Sequence, residues 1–217
     1  MAQAGTHRRR RSYRAPALGV VDGTLCLAYT GTDNRIRTRT FNDSSWSAVT
    51  VLPGGTEKAV TLGFGGDRLW LTHISQGGAV YYHDRTATTW HGATANNLPW
   101  VTDSPVAIAD SDVWTWQVCR GTGNDVHTAT HHGNRTWGSR GTISGWKTHH
   151  GVALTKHDNT LWIFMRGTDG HLYAATNRGT SSTWSALHHV SQQKAIRPID
   201  EPAATSHSNK LYVMYRR

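Results

Sequence analysis

Glu57 and Glu201 are the only glutamates in the chain, and both fall at one recurring point of its pattern. The segments that lead into each repeated unit carry Tyr13-Arg14, Glu57-Lys58, Asp103-Ser104, His149-His150 and Asp200-Glu201. The residue type changes from unit to unit where a purely structural position would stay the same. Carboxylates, imidazoles and guanidiniums meeting at one point could transfer protons or hold a cation. Crowding would push their pKa values apart, which acid–base chemistry uses. On that reading Glu57, Asp103, His149 and Glu201 are the candidate catalytic set. A solvated rim with incidental charges is the competing reading. Close to the same point, the ends of the apolar strands supply Tyr29, His73, Arg120, Arg166 and Arg216. With Arg14, these arginines suit an anionic ligand.

A second chemistry is stacking. Sugars lay their C–H faces on aromatic rings and present paired hydroxyls to polar side chains. Trp70, Trp116, Trp162 and Tyr212 occupy equivalent places, with Cys26 in the first unit, and Trp46, Trp90, Trp137 and Trp184 form another equivalent set. Asp33, Asn124 and Asp169 sit in equivalent turns and could bind hydroxyls. Packing of one unit on the next would explain both tryptophan sets equally well, and turn geometry would explain the acids. The adjacent pairs His131-His132, His149-His150 and His188-His189 point to opposite faces of a strand. They make no metal-ligand spacing, and neither a metal nor a cofactor is expected.

What must position these groups is a repeat. Trp46, Trp90, Trp137 and Trp184 follow each other at intervals of 44, 47 and 47. Pro16, Val60, Pro105, Val152 and Pro202 march in step, at 44, 45, 47 and 50. Each unit reads as a short apolar strand, a turn such as Asp22-Gly23, a second apolar strand, another turn, an alternating strand, and a fourth strand opened by the tryptophan. Four short antiparallel strands in about 45 residues make one propeller blade. The expected fold is therefore an all-β, five-bladed β-propeller. Its blades would span approximately 16–58, 59–103, 104–150, 151–200, and 201–217 completed by 1–15. The ring would be closed by N- and C-terminal strands in the last blade, which removes a free sheet edge. Whether that closure happens within one chain or across a homodimer stays open. In this scheme Arg8–Arg11 form a solvated outer strand.

Composition excludes several classes. A chain of 217 residues with 10 Trp and 22 Gly is neither disordered nor helical. Two cysteines cannot build a disulfide scaffold, and Cys26 and Cys119 read as free, buried thiols. No apolar run is long enough for a membrane-spanning helix. The net charge, 23 − 14 = +9, favours anionic partners, although no nucleic-acid-reading motif is present and no specific nucleic-acid partner is expected. The N-terminus lacks the apolar stretch of a signal peptide, so a cytoplasmic protein is expected, or a secreted one if a leader has been removed.

The stretches Pro16-Ala-Leu18, Gly23-Thr-Leu-Cys-Leu-Ala-Tyr-Thr-Gly-Thr-Asp33 and Ser44-Ser-Trp-Ser47 resemble the blades of bacterial lectin-like and sialidase-like propellers. Five short blades of this type are also similar to tachylectin-like carbohydrate-binding propellers. The resemblance runs from Ala15 to Arg217. It implies a propeller fold and a glycan ligand. The sialidase Asp-box is not met, because Thr168-Asp169-Gly170 lies too far from Trp184. Two readings follow. The leading one is a lectin-like propeller with repeated inter-blade sites drawn from Tyr29, Asp33, His73, Arg120, Arg166, Asp169, Arg14, Trp70, Trp116 and Trp162. The other is a small hydrolase, lyase or cyclase with one axial site for a polar or anionic small molecule.

Overall fold

The computed structural model describes residues 12, 14–131, 136–190 and 196–217. Tyr13 and the Arg8–Arg11 strand expected from the sequence lie outside them. Every regular element among the described residues is a strand. The first sheet holds β1 (Ala17–Val21), β2 (Thr24–Thr30), β3 (Arg35–Phe41) and β4 (Thr50–Gly55). The second holds β5 (Thr61–Gly65), β6 (Arg68–Ile74), β7 (Val80–Thr86) and the short β8 (Thr89–Trp90) and β9 (Thr94–Ala95), both paired with β7. Next come β10 (Ala107–Asp110), β11 (Thr115–Arg120), β12 (Asp125–His131) and β13 (Trp137–Lys147). The fourth sheet has β14 (Val152–His157), β15 (Thr160–Arg166), β16 (Leu172–Asn177) and β17 (His188–His189). The fifth has only β18 (Ala203–His207) and β19 (Lys210–Met214).

All strand pairs are antiparallel meanders, because tight turns join them. The turn between the first two strands of four sheets places two residues at positive φ: Asp22-Gly23, Gly66-Asp67, Asp158-Asn159 and Ser208-Asn209. Two left-handed residues make the primed turn that matches the twist of a hairpin, and Gly, Asn and Asp tolerate it best.

The innermost strands pack side by side in chain order: β1 on β5, β5 on β10, β10 on β14, β14 on β18. The cores therefore lie between sheets. One gathers Ala28, Ile36, Leu52, Val60 and Leu71 across the first two sheets. The largest joins Trp116, Val118 and Val126 to Val152, Leu154, Leu161 and Ile163. Close approach needs small residues. A Cβ on Gly63 would lie 2.5 Å from the Ile108 Cβ of the next sheet. Cys26 and Cys119 are free and buried, and burial pushes the Cys119 thiol up to about 12.

Candidate functional site

The lead-in segments are held by a repeated hydroxyl that the sequence reading missed. Ser12 Oγ donates to the Thr30 carbonyl (2.7 Å), Thr56 Oγ1 to Ile74 (2.7 Å) and Thr102 Oγ1 to Arg120 (2.6 Å). Each hydroxyl also accepts the backbone N–H two residues on, at Arg14, Lys58, Ser104 and, from Thr148, His150. Their spacing of 44, 46 and 46 was available in the sequence. This staple fixes the backbone, so the side chains beside it are free to differ. Thr102→Val is expected to cost about 1–3 kcal/mol, since it strands the buried Ser104 N–H and leaves the Arg120 carbonyl only the longer contact from Ser104 Oγ at 3.4 Å. Thermal melts with Thr102→Ser as the control check this.

Each arginine at this end is engaged nearby. Arg14 Nε donates to the Glu57 carbonyl at 2.6 Å. Arg120 pairs with Asp103 and donates to Asn124 Oδ1 at 3.1 Å. Arg166 donates to the Pro198 carbonyl at 2.6 Å and to His150 Nε2 at 2.7 Å, and Arg216 pairs with Asp200. Burial, then the Arg166 charge, hold His150 below the usual histidine range.

Among the described residues, ligand atoms of His150, Asp200 and Glu201 lie within 4.8 Å of one another. This cluster takes in Glu201 but not Glu57, Asp103 or His149, the rest of the expected catalytic set. His149 is exposed and its neighbour His150 is half-buried; the pair lies in a bend between β13 and β14, not on a strand as the sequence suggested. The guanidiniums of Arg166 and Arg216 already supply cations to the cluster.

The turn acids are tied to their own strands. Asp33 accepts two hydrogen bonds from Arg37, at 2.6 and 2.7 Å, which hold it well below the usual carboxylate range. Burial would raise Asp169, but hydrogen bonds from the Tyr173 hydroxyl and from His171 bring it down to about 2.

Four expected ligand contacts are buried instead. Trp70 and Trp116 are 1% and 0% exposed, His73 is 3%, and Tyr29 is also buried. The cause for the tryptophans is the next sheet. Trp70 meets Trp137 edge-on at 5.3 Å, and Trp116 meets Trp184 at 5.9 Å. Cys26 likewise packs beside Trp90. One tryptophan set thus plugs against the other, and each such pair contributes roughly 1 kcal/mol beyond its buried area.

Trp162 breaks the series. Among the described residues its ring stacks on Phe164, two positions along its own strand, where Trp70 and Trp116 each meet a tryptophan of the next sheet. A cleft of about 550 Å³ opens there, lined by Trp162, Phe164, Ser185, His188, His189 and Leu211 among others. Trp162 and Phe164 lie nearly parallel, 6.1 Å apart. His189 keeps a buried Nδ1 with no hydrogen-bond partner. Smaller pockets open beside the repeated turns. One of about 170 Å³ is lined by Arg14, Thr30, Gly31, Asn34 and Glu57, and one of about 330 Å³ by Lys147, Gly167, Thr168, Asp169 and Tyr173 among others.

No family model and no curated protein sequence matches the chain. Solved structures do. The BP39L lectin from Burkholderia pseudomallei matches with a TM-score of 0.71 at 16% identity, over 88% of this chain and 59% of that one. The six-bladed fungal lectin of Aleuria aurantia, described with a novel fucose recognition mode, matches at 0.70 and 14% identity, over 92% and 70%. The SapL1 lectin, solved with alpha methyl fucoside, matches at 0.69 and 15%, over 93% and 71%. The chain therefore spans less than two thirds of BP39L. What unites these matches is the path of the strands, and the chain has the β-propeller fold of these lectins.

Proposed function

We propose that this chain is a carbohydrate-binding propeller, each sheet one blade, with glycan seated in clefts between neighbouring blades. The cleft beside Trp162 carries the reading. It joins an aromatic floor to a polar rim of Thr176, Ser185, His188 and His189, the combination that a sugar ring with one apolar face needs. A ligand hydroxyl would satisfy the buried His189 Nδ1. The pockets beside Gly31 and Asp169 support further sites of the same kind, weak singly and strong together.

Alpha methyl fucoside is the first probe, since one of the similar lectins holds it. Titration of a panel of neutral methyl glycosides, followed by tryptophan fluorescence, is expected to show saturable binding that survives high salt. Loss of the stacking face in Trp162→Ala is expected to weaken that binding about tenfold. A flat response to every glycoside, or unchanged affinity in Trp162→Ala, overturns the proposal for this cleft.

The cluster of His150, Asp200 and Glu201 favours a second reading, an axial hydrolase or lyase site. It requires turnover of a polar small molecule that Glu201→Gln abolishes while glycoside binding stays intact.

A further inference from the structure

The junction between the first and second sheets is built differently from those that follow. The registers place Phe41, Arg85, His131 and Asn177 at one equivalent point of the third strands, opposite Leu25, Leu69, Thr115 and Leu161. Phe41 packs on Trp46 at 5.2 Å, and His131 on Trp70 at 4.7 Å. Asn177 Nδ2 donates to the Ser181 and Thr183 carbonyls, both at 2.9 Å. Arg85 is only 4% exposed, yet neither its Nε nor its Nη1 has a hydrogen-bond partner among the described residues.

The neighbouring carboxylate does not serve it. Asp84 lies on the opposite face of β7, where Arg68 Nη1 donates to it at 3.0 Å. The face of Arg85 carries Tyr81 and His83 from β7, and Leu69, Leu71 and His73 from β6. From the first sheet Cys26 and Ala28 meet this face. None of these is an acid. A guanidinium keeps its proton inside a protein, so burial cannot neutralise it as it does a histidine. Left without an acceptor, it is a costly group that draws an anion strongly.

What stands opposite makes room. Cys26 holds the register position that Trp70, Trp116 and Trp162 hold in the following sheets, and it lacks the whole indole. At the next junction, with a tryptophan present, a pocket of about 200 Å³ still opens, lined by Trp70, His131, Arg68 and Thr115 among others. Cys26 and Arg85 are the counterparts of its Trp70 and His131. Val21, Leu69 and Trp90 pack around Cys26. Burial raises the Cys26 thiol and the Arg85 charge draws it back, so guanidinium and sulfur are neighbours. Apolar walls of this kind strengthen a hydrogen bond made between them.

We propose that this junction is an oxyanion site, in which a carboxylate or phosphate group lies beside Cys26 and accepts hydrogen bonds from the Arg85 guanidinium. The site does not rest on the glycan reading. A free phosphate would act there as an ion that ties the first two sheets together, and an acidic sugar would enter by its carboxylate.

Titrations with inorganic phosphate and with methyl glucuronide, at constant ionic strength, test this and separate the two sources. The readouts are the melting temperature and the Arg85 Nε–H signal in a nitrogen-correlated NMR spectrum, identified by its loss in Arg85→Lys. At least one ligand is expected to raise the melting temperature saturably and to move that signal. Movement with phosphate assigns a free oxyanion, and movement with the glucuronide alone assigns an acidic sugar. Arg85→Met, which keeps the reach without the charge, is expected to abolish the saturable rise, and Arg85→Lys to weaken binding about tenfold. A signal that neither ligand moves overturns the proposal. So does a rise that Arg85→Met retains, because the net charge of +9 then accounts for it. A neutral methyl glucoside that moves the signal as far as the glucuronide also overturns it, since glycan binding is then read without any oxyanion. If Arg85→Met does not fold, the NMR titration of the unaltered chain decides.

Discussion

Gly63→Val is expected to be the most damaging single change at the junctions, costing at least about 3 kcal/mol and lowering the melting temperature by roughly 6–12 °C. The reason is what stands opposite. A Cβ on Gly63 would lie 2.5 Å from Ile108 Cβ and 2.7 Å from the Ile108 carbonyl oxygen. A side chain can swing away, but a carbonyl held in a strand cannot, so the second and third sheets must separate. Separation would in turn pull Trp70 from Trp137. Gly19→Val should cost less, because its nearest neighbour is the far end of the Leu69 side chain at 2.7 Å. Gly92→Ala, which meets nothing within 4 Å, should change stability by less than about 0.5 kcal/mol. Adding Ile108→Ala to Gly63→Val should recover only part of the loss, since the backbone oxygen remains. Thermal melts of the four proteins give the order directly. Equal costs at positions 19, 63 and 92 would show that the sheets slide freely and that the spacing is not set by these glycines.

Much of this architecture is legible in the residues. Leu25, Leu69, Thr115, Leu161 and Leu211 each lie on the second strand of a sheet, and in the second, third and fourth sheets that strand is mostly buried between its neighbours. The turn dipeptides are legible through their backbone demands. The candidate site is less so. Both tryptophan sets stand out in the sequence, yet only the packing tells that Trp70 and Trp116 are plugged by Trp137 and Trp184, while Trp162 is not. That difference depends on what the following sheet supplies, a contact between distant residues that periodicity within one unit does not carry. His73 is a different case. Leu69, Leu71 and His73 alternate on one face, so simple period-two reading places His73 in the core and away from the lead-in segments. The lead-in residues resist prediction because the hydroxyl staple fixes their backbone and leaves the side chains to pair locally, Arg120 with Asp103 and Arg216 with Asp200.

Acidification is expected to destabilise the junction of the first two sheets, chiefly between pH 6.5 and about 4. His73 and His83 lie 5.4 Å apart between ring centres, and both are buried. Burial, and then the neighbouring His83, lower His73 to about 4, while burial lowers His83 against the opposing pull of the His91 carbonyl. Tyr81 stacks on His73 at 5.4 Å, and Gly54 covers its edge; the Asp84 carboxylate favours a charge on His83, but burial outweighs it. His73 Nδ1 is already buried without a partner, and a proton there would add a donor with nothing to accept it. The sign follows from linkage. The unfolded chain takes up the proton near pH 6.5 and the folded chain only near 4, so stability is complete above 6.5 and falls as pH drops towards 4. For His73 alone the interval corresponds to roughly 3 kcal/mol. Asp169, held at about 2, contributes its own loss below the unfolded aspartate value near 3.8, a separate and lower window. Urea titrations at pH 7.5 and 4.5 read the difference, and His73→Phe keeps the stacked ring while removing the proton. The steep fall should shrink in that variant by most of the His73 share. A slope identical to the unaltered chain would place the acid sensitivity elsewhere and leave the buried pair as packing alone.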